Sequence, residues 1–124
     1  MNEAEREAGL AATPGYRYAD VVGDELFVAG QVPLDAAGEL VAPGDAAGQA
    51  TRCLENLAIL LDVHGFDRAH VRRLVVYVVG DDLARAWRSV REHFDGEVPP
   101  ATLLGVERLG HGGQLVEIDA TVRH

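Results

Sequence analysis

The sequence contains no lysine: all 11 of its basic side chains are arginine. Schiff-base chemistry through a lysine amine is thereby excluded. Cysteine is reduced to one residue, Cys53. It has no partner for an internal disulfide, so a reducing compartment is the default and the cytoplasm is the expected location. No apolar run approaches the roughly 20 residues that span a bilayer. The acidic opening, Met1 to Ala8, lacks the basic start and apolar centre of a signal peptide. No membrane partner is expected. Positive charge is scarce as well: 11 basic against 20 acidic side chains leave a formal charge of −9. Nucleic-acid binding draws on Lys and Arg to neutralise phosphates, and no basic cluster is longer than Arg72-Arg73. No nucleic-acid partner is expected. The five histidines show no metal-ligand spacing. His64 and His70 straddle a turn, and no Ser-His-Asp arrangement is readable. The segment Gly110-His111-Gly112-Gly113 reads as a flexible turn, not a phosphate loop.

The sequence does have the makings of one ordinary globular domain. Of its 124 residues, 48% are hydrophobic and 25% charged. A chain of this size buries roughly two thirds of its unfolded surface and needs no disulfide or metal to fold. Residues 1–13 read as a flexible or marginally helical tail, and residues 14–124 as the domain. Tyr16 to Val22 and Glu25 to Ala29 flank the turn signal Gly23-Asp24 and predict a hairpin. The loop from Pro33 to Gly44 holds a short strand at most, at Glu39 to Val41. A helix is predicted from Asp45 to His64, with Asp45 as N-cap and Gly65 just past its end. Ala50, Leu54, Leu57, Ala58 and Leu61 form its apolar stripe. After a linker or helical turn at 68–70, Val71 to Val79 predicts a strand buried on both faces. Leu83, Ala86, Trp87, Val90 and Phe94 place a second helix over Asp81 to Phe94. Ala101 to Val106 and Gln114 to Val122 predict the last two strands. Two helices and about five strands imply an α+β domain, one mixed β-sheet with both helices on one face.

The last strand carries the most informative pattern. Val116, Ile118, Ala120 and Val122 share one face; Leu115, Glu117, Asp119 and Thr121 share the other. The second set puts two carboxylates on a face that two helices on the opposite side leave bare. The neighbouring strands are apolar there too, and soluble monomers rarely expose such surface. A second copy of the chain against this face would cover it and place Glu117 at a subunit seam. A solvated strand with ordinary surface acids fits the same pattern.

The segment Leu26-Phe27-Val28-Ala29-Gly30-Gln31-Val32-Pro33-Leu34-Asp35 resembles the hairpin and "SGQIP" stretch of the RidA (YjgF) family. That family has also been labelled endoribonuclease L-PSP or translation inhibitor. Gln49 to Leu57 resembles its first helix. Pro99-Pro100-Ala101 and Leu115-Val116-Glu117-Ile118 resemble the ends of its C-terminal signature. The likeness runs from about Pro14 to Val122. It implies a chorismate-mutase-like fold and a homotrimer with pockets between subunits. It also implies hydrolysis (deamination) of reactive imines or enamines to keto products and ammonia, with no cofactor. A ribonuclease reading rests on the old label alone. The alternative is a trimer that binds or senses a small ligand without turnover.

Carried over residue by residue, the resemblance puts the family's pocket tyrosine on Tyr16, its pocket glycine on Gly30 and its water-linked glutamate on Glu117, the candidate catalytic residue. Three positions depart. The family's arginine falls on Thr102, its cysteine on Leu104, and its helix asparagine on Trp87. Trp87 also fits the core, by its spacing with Leu83 and Val90. The resemblance therefore implies a changed substrate range, because a guanidinium grips a carboxylate through two parallel hydrogen bonds and a threonine hydroxyl does not. Arg17 is the first candidate for a replacement cation, although strand alternation turns it away from Tyr16's face. Arg108 and His111 are weaker ones.

Overall fold

The computed structural model describes residues 1–124. Its elements run α1 (Glu3–Glu7), β1 (Ala19–Val22), β2 (Glu25–Val28), α2 (Ala46–Val63), a 3₁₀ turn (Arg68–His70), β3 (Val71–Val79), α3 (Leu83–His93), β4 (Ala101–Val106) and β5 (Val116–Arg123). The strands form one mixed sheet in the order β1-β2-β5-β3-β4. β3 and β4 are parallel, as their connection through α3 requires. Every other neighbour pair is antiparallel.

Helix α2 starts where its cap chemistry says it should. The Asp45 carboxylate accepts the Gly48 N–H at 3.1 Å. Of the expected stripe, Ala50, Leu54, Leu57 and Leu61 are buried, joined by Cys53, in a single core with Leu74, Val76, Val78, Val116, Ile118 and Val122, whereas Ala58 is exposed. α3 closes the same core with Ala86, Val90 and Phe94. The Ser89 hydroxyl ties the two helices together, donating to the Ala47 carbonyl at 2.9 Å. Cys53 is fully buried in this core, and burial pushes its thiol pKa up, with the Glu117 charge adding to the effect.

Three expectations are corrected. First, residues 1–13 are not a free tail. Asn2 and Glu5 form a reciprocal capping box at 2.8 and 2.7 Å. Glu5 is buried and lies 3.2 Å from His64 Nε2 on α2. Leu10 packs with Tyr18 and Leu60. The marginal helix the sequence allowed is α1, Glu3–Glu7; its docking on α2 was not readable from so short a segment. Second, the first strand begins at Ala19 rather than Tyr16. Tyr18 instead turns inward, donating its hydroxyl to the Ala11 carbonyl at 2.6 Å. Third, β3 is buried on one face only in the single chain. Val71, Leu74, Val76 and Val78 are buried, while Val75, Tyr77 and Val79 are only half-buried, because the helices cover the opposite side.

β3 also carries a bulge. Val71 pairs with Val122 and Arg73 with Thr121, so Arg72 is an extra residue. The bulge lets Val71 and Leu74, three apart, both face the core. It thereby turns Arg73 onto the uncovered face.

Candidate functional site

The uncovered sheet face can be mapped by register. Glu117 lies opposite Tyr77, and Tyr77 lies opposite Leu104. One step along, Asp119 faces Val75 and Val75 faces Thr102. At the other side Phe27 faces Thr121. Phe27 is 55% exposed and Val22 is 56% exposed, so this face bears large apolar groups in water.

Glu117 is the best-supported group on it. An isolated antiparallel bridge brings the segment after β2 alongside β5: the Gln31 N–H donates to the Ile118 carbonyl at 2.7 Å and the Ile118 N–H returns a bond at 3.1 Å. That bridge sets Gly30 against the Glu117 carboxylate. A Cβ at position 30 would sit 2.5 Å from Glu117 Oε2, so only glycine allows the approach. On its other oxygen, Glu117 accepts from the Gln114 side-chain amide at 3.3 Å. Gln114 is itself buried, and its amide oxygen accepts from the His111 backbone N–H at 3.2 Å. Gln49 on α2 fixes the start of this segment: its side-chain oxygen accepts from Leu115 N–H at 2.6 Å and its amide donates to the Gly113 carbonyl at 3.2 Å. The carboxylate is thus pinned from two sides and half-buried.

Tyr16 lies near enough to feel that carboxylate. Its pKa is raised, first by burial and then by the Glu117 charge. A neutral phenol hydroxyl can donate to a ligand or water. Gly30 and Glu117 are therefore in contact, and Tyr16 lies within electrostatic reach of the carboxylate.

The other expected site residues divide. Leu104 and Thr102 share the uncovered face with Glu117, across β3. Trp87 does not; it packs against the helix-side core, which its spacing on α3 dictates. Arg17 does not join Thr102 either. It is exposed and lies 3.7 Å from Asp20. His111 reaches Gln114 rather than the face itself. Two residues were missed. Tyr77 stands between Glu117 and Leu104, a place fixed by cross-strand register. Arg73 donates to the Thr102 hydroxyl at 2.8 Å. The dipeptide Arg72-Arg73 was visible in the sequence, but the bulge that re-aims it was not.

A depression of about 450 Å³ is lined by Arg88, Arg91, Glu92, Asp95 and Gly96 near the end of α3 and shares no residue with this cluster. Glu117 instead lies on an open wall. No group of three or more His, Cys, Asp or Glu side chains is placed to hold a metal ion, and no helix is long and apolar enough to cross a membrane.

An α+β chain with a one-sided mixed sheet and a glycine-held glutamate on its bare face is the class this structure defines. The sequence model of the family described as Endoribonuclease L-PSP matches residues 7–124, and the chain belongs to that family. Among its relatives, Protein DfrA of Myxococcus xanthus is 36% identical over 99 residues, covering 79% of this chain and 75% of that protein. The 2-iminobutanoate/2-iminopropanoate deaminase of Rattus norvegicus is 28% identical over 111 residues, covering 89% of this chain and 80% of that enzyme. A solved structure from Thermotoga maritima superposes with a TM-score of 0.82 at 31% identity, covering 91% of this chain and 89% of the other. The Escherichia coli YjgF gene product shares the fold, with a TM-score of 0.83 at 24% identity and 94% of both chains covered.

Proposed function

We propose that this protein hydrolyses a small reactive imine or enamine at pockets formed where the bare sheet faces of identical subunits meet, in a homotrimer. The observation that carries the reading is the Glu117 carboxylate, held against Gly30 and beside Tyr16 on a sheet face that a single chain leaves open. The deaminase names of mammalian relatives support the reaction class.

The chemistry asks little of the protein. A water oxygen bonds to the imine carbon as the C=N electron pair moves to nitrogen. Glu117 takes a proton from that water and returns one to the nitrogen. The carbinolamine then collapses: Glu117 passes the hydroxyl proton to the amine nitrogen, the C–N bond breaks as the carbonyl forms, and ammonia leaves. In this reading Tyr16, within reach of the Glu117 charge, donates a hydrogen bond to the same water. The wall beyond Glu117 carries Tyr77 and Leu104, which suits a short apolar side chain.

The test is ammonia and keto-product release from freshly generated 2-iminobutanoate and 2-iminopropanoate, comparing wild type with Glu117→Ala. A loss of about 100-fold or more is expected for removal of a general base. Equal rates for both proteins on every imine tried would end the catalytic claim. Ligand-dependent melting without substrate loss would then favour a binding or regulatory trimer.

A further inference from the structure

The two oxygens of Glu117 are not equivalent. Oε1 accepts from the Gln114 side-chain amide at 3.3 Å. Oε2, the atom that a Cβ at position 30 would meet, accepts no hydrogen bond within the chain. An unheld glutamate turns broadly about its last torsion. One fixed oxygen removes that freedom and keeps the other beside Gly30.

The fixing side chain is itself fixed. Gln114 is 3% exposed. Its amide nitrogen serves two acceptors, the Val116 carbonyl at 3.0 Å and Glu117 Oε1. Its amide oxygen faces two nitrogens of His111, the backbone N–H at 3.2 Å and ring Nδ1 at 3.2 Å. The reverse sense would set an amide oxygen against a carbonyl and a carboxylate, so the network assigns the sense shown. An amide oxygen cannot donate, so His111 carries a proton on Nδ1. Gln49 holds the backbone on both sides of Gln114, through the Gly113 carbonyl and the Leu115 N–H. A buried amide committed in this way cannot turn without leaving polar groups unpaired.

We infer that Gln114, oriented by His111, is a positioning residue: it holds Glu117 by Oε1 and leaves Oε2 as the oxygen that takes the proton of the attacking water and passes it to the substrate nitrogen. This rests on the hydrolytic reading of Glu117 above. It adds which oxygen acts and which residues select it.

The first experiment is steady-state ammonia release from 2-iminobutanoate. Gln114→Leu is expected to lower kcat about 10-fold or more with KM within about twofold, since displacing a reacting group by about 1 Å costs up to about 100-fold. His111→Ala should lower kcat less. His111→Asn, whose amide nitrogen stands where Nδ1 stood, should restore most of that loss. In a Glu117→Ala background Gln114→Leu should add no further loss, because the two residues act as a unit. An unchanged kcat for Gln114→Leu overturns the proposal, and so does an undiminished effect in the Glu117→Ala background.

The second experiment needs no turnover and holds even where Gln114→Leu fails to fold. Nitrogen-15 spectra of the wild type should show His111 with a proton on Nδ1, and Gln114 side-chain amide protons that exchange slowly and shift on Glu117→Ala. A His111 ring protonated only on Nε2, or Gln114 amide protons indifferent to Glu117→Ala, overturns the proposal. If Glu117→Ala leaves hydrolysis unchanged while these signals behave as expected, the hydrolytic reading fails and the grip of Gln114 on Oε1 stands.

Discussion

Replacing Gly30 with alanine tests the geometry of the site without assuming its chemistry. The new Cβ would lie 2.5 Å from Glu117 Oε2, 3.1 Å from its Cδ and 3.3 Å from its Cγ. Ordinary contact begins near 3.4 Å, so the carboxylate must retreat by about 1 Å. It cannot do so freely. Its other oxygen is bonded to Gln114 at 3.3 Å, already at the long end, and that bond will break. Overpacking of this kind costs roughly 1–3 kcal/mol. The clash is with one side chain, so it should vanish when that side chain is shortened. In urea denaturation, Gly30→Ala is expected to destabilise by about 2 kcal/mol alone and by at least 1 kcal/mol less in a Glu117→Ala background. Displacing the carboxylate by about 1 Å should also lower imine hydrolysis on the order of 100-fold. If the two substitutions add within about 0.5 kcal/mol, position 30 does not press on Glu117 and the description of the site is wrong.

Leu10→Ala should cost about 2–4 kcal/mol in chemical denaturation, since Leu10 is 2% exposed beside Tyr18 and Leu60; a value near zero would restore the free tail. Tyr18 is held neutral by burial, then by Tyr16 and Glu5, with its pKa pushed up to about 12. A folded-state pKa above the unfolded value means stability present below pH 10 and lost as pH rises toward 12, by up to roughly 2–3 kcal/mol, and Tyr18→Phe should flatten that slope in melts taken across the range. Val75→Glu sets an acid beside Asp119 on the bare face; if the proposed trimer forms through that face, sedimentation should show it giving way to single chains, and an unchanged trimer would move the interface elsewhere.

Much of the scaffold was legible because its signals are local. The α2 stripe and its Asp45 cap sit within one stretch of chain, and the run Val71 to Val79 coincides with β3 end to end. The alternation in β5 separated Glu117 from Ile118 correctly. The likeness to a known family supplied Tyr16 and Gly30, which no periodicity singles out. What escaped depends on partners far along the chain. Tyr77 reads as one more apolar residue until register sets it beside Glu117. Arg73 reads as surface charge until a one-residue bulge turns it toward Thr102. Trp87 was drawn toward the pocket by the resemblance, although its own helical spacing already assigned it to the core. Glu5 gave no hint of burial, because its partner His64 is 59 residues away.

Cys53 offers a practical handle. With a single thiol in the whole chain, sealed between α2 and β5, thiol reagents can react only when the fold opens around it. The speed of labelling then becomes a clock for breathing motions, and a molecule lodged against the bare sheet face would slow that clock without any need to know what it is.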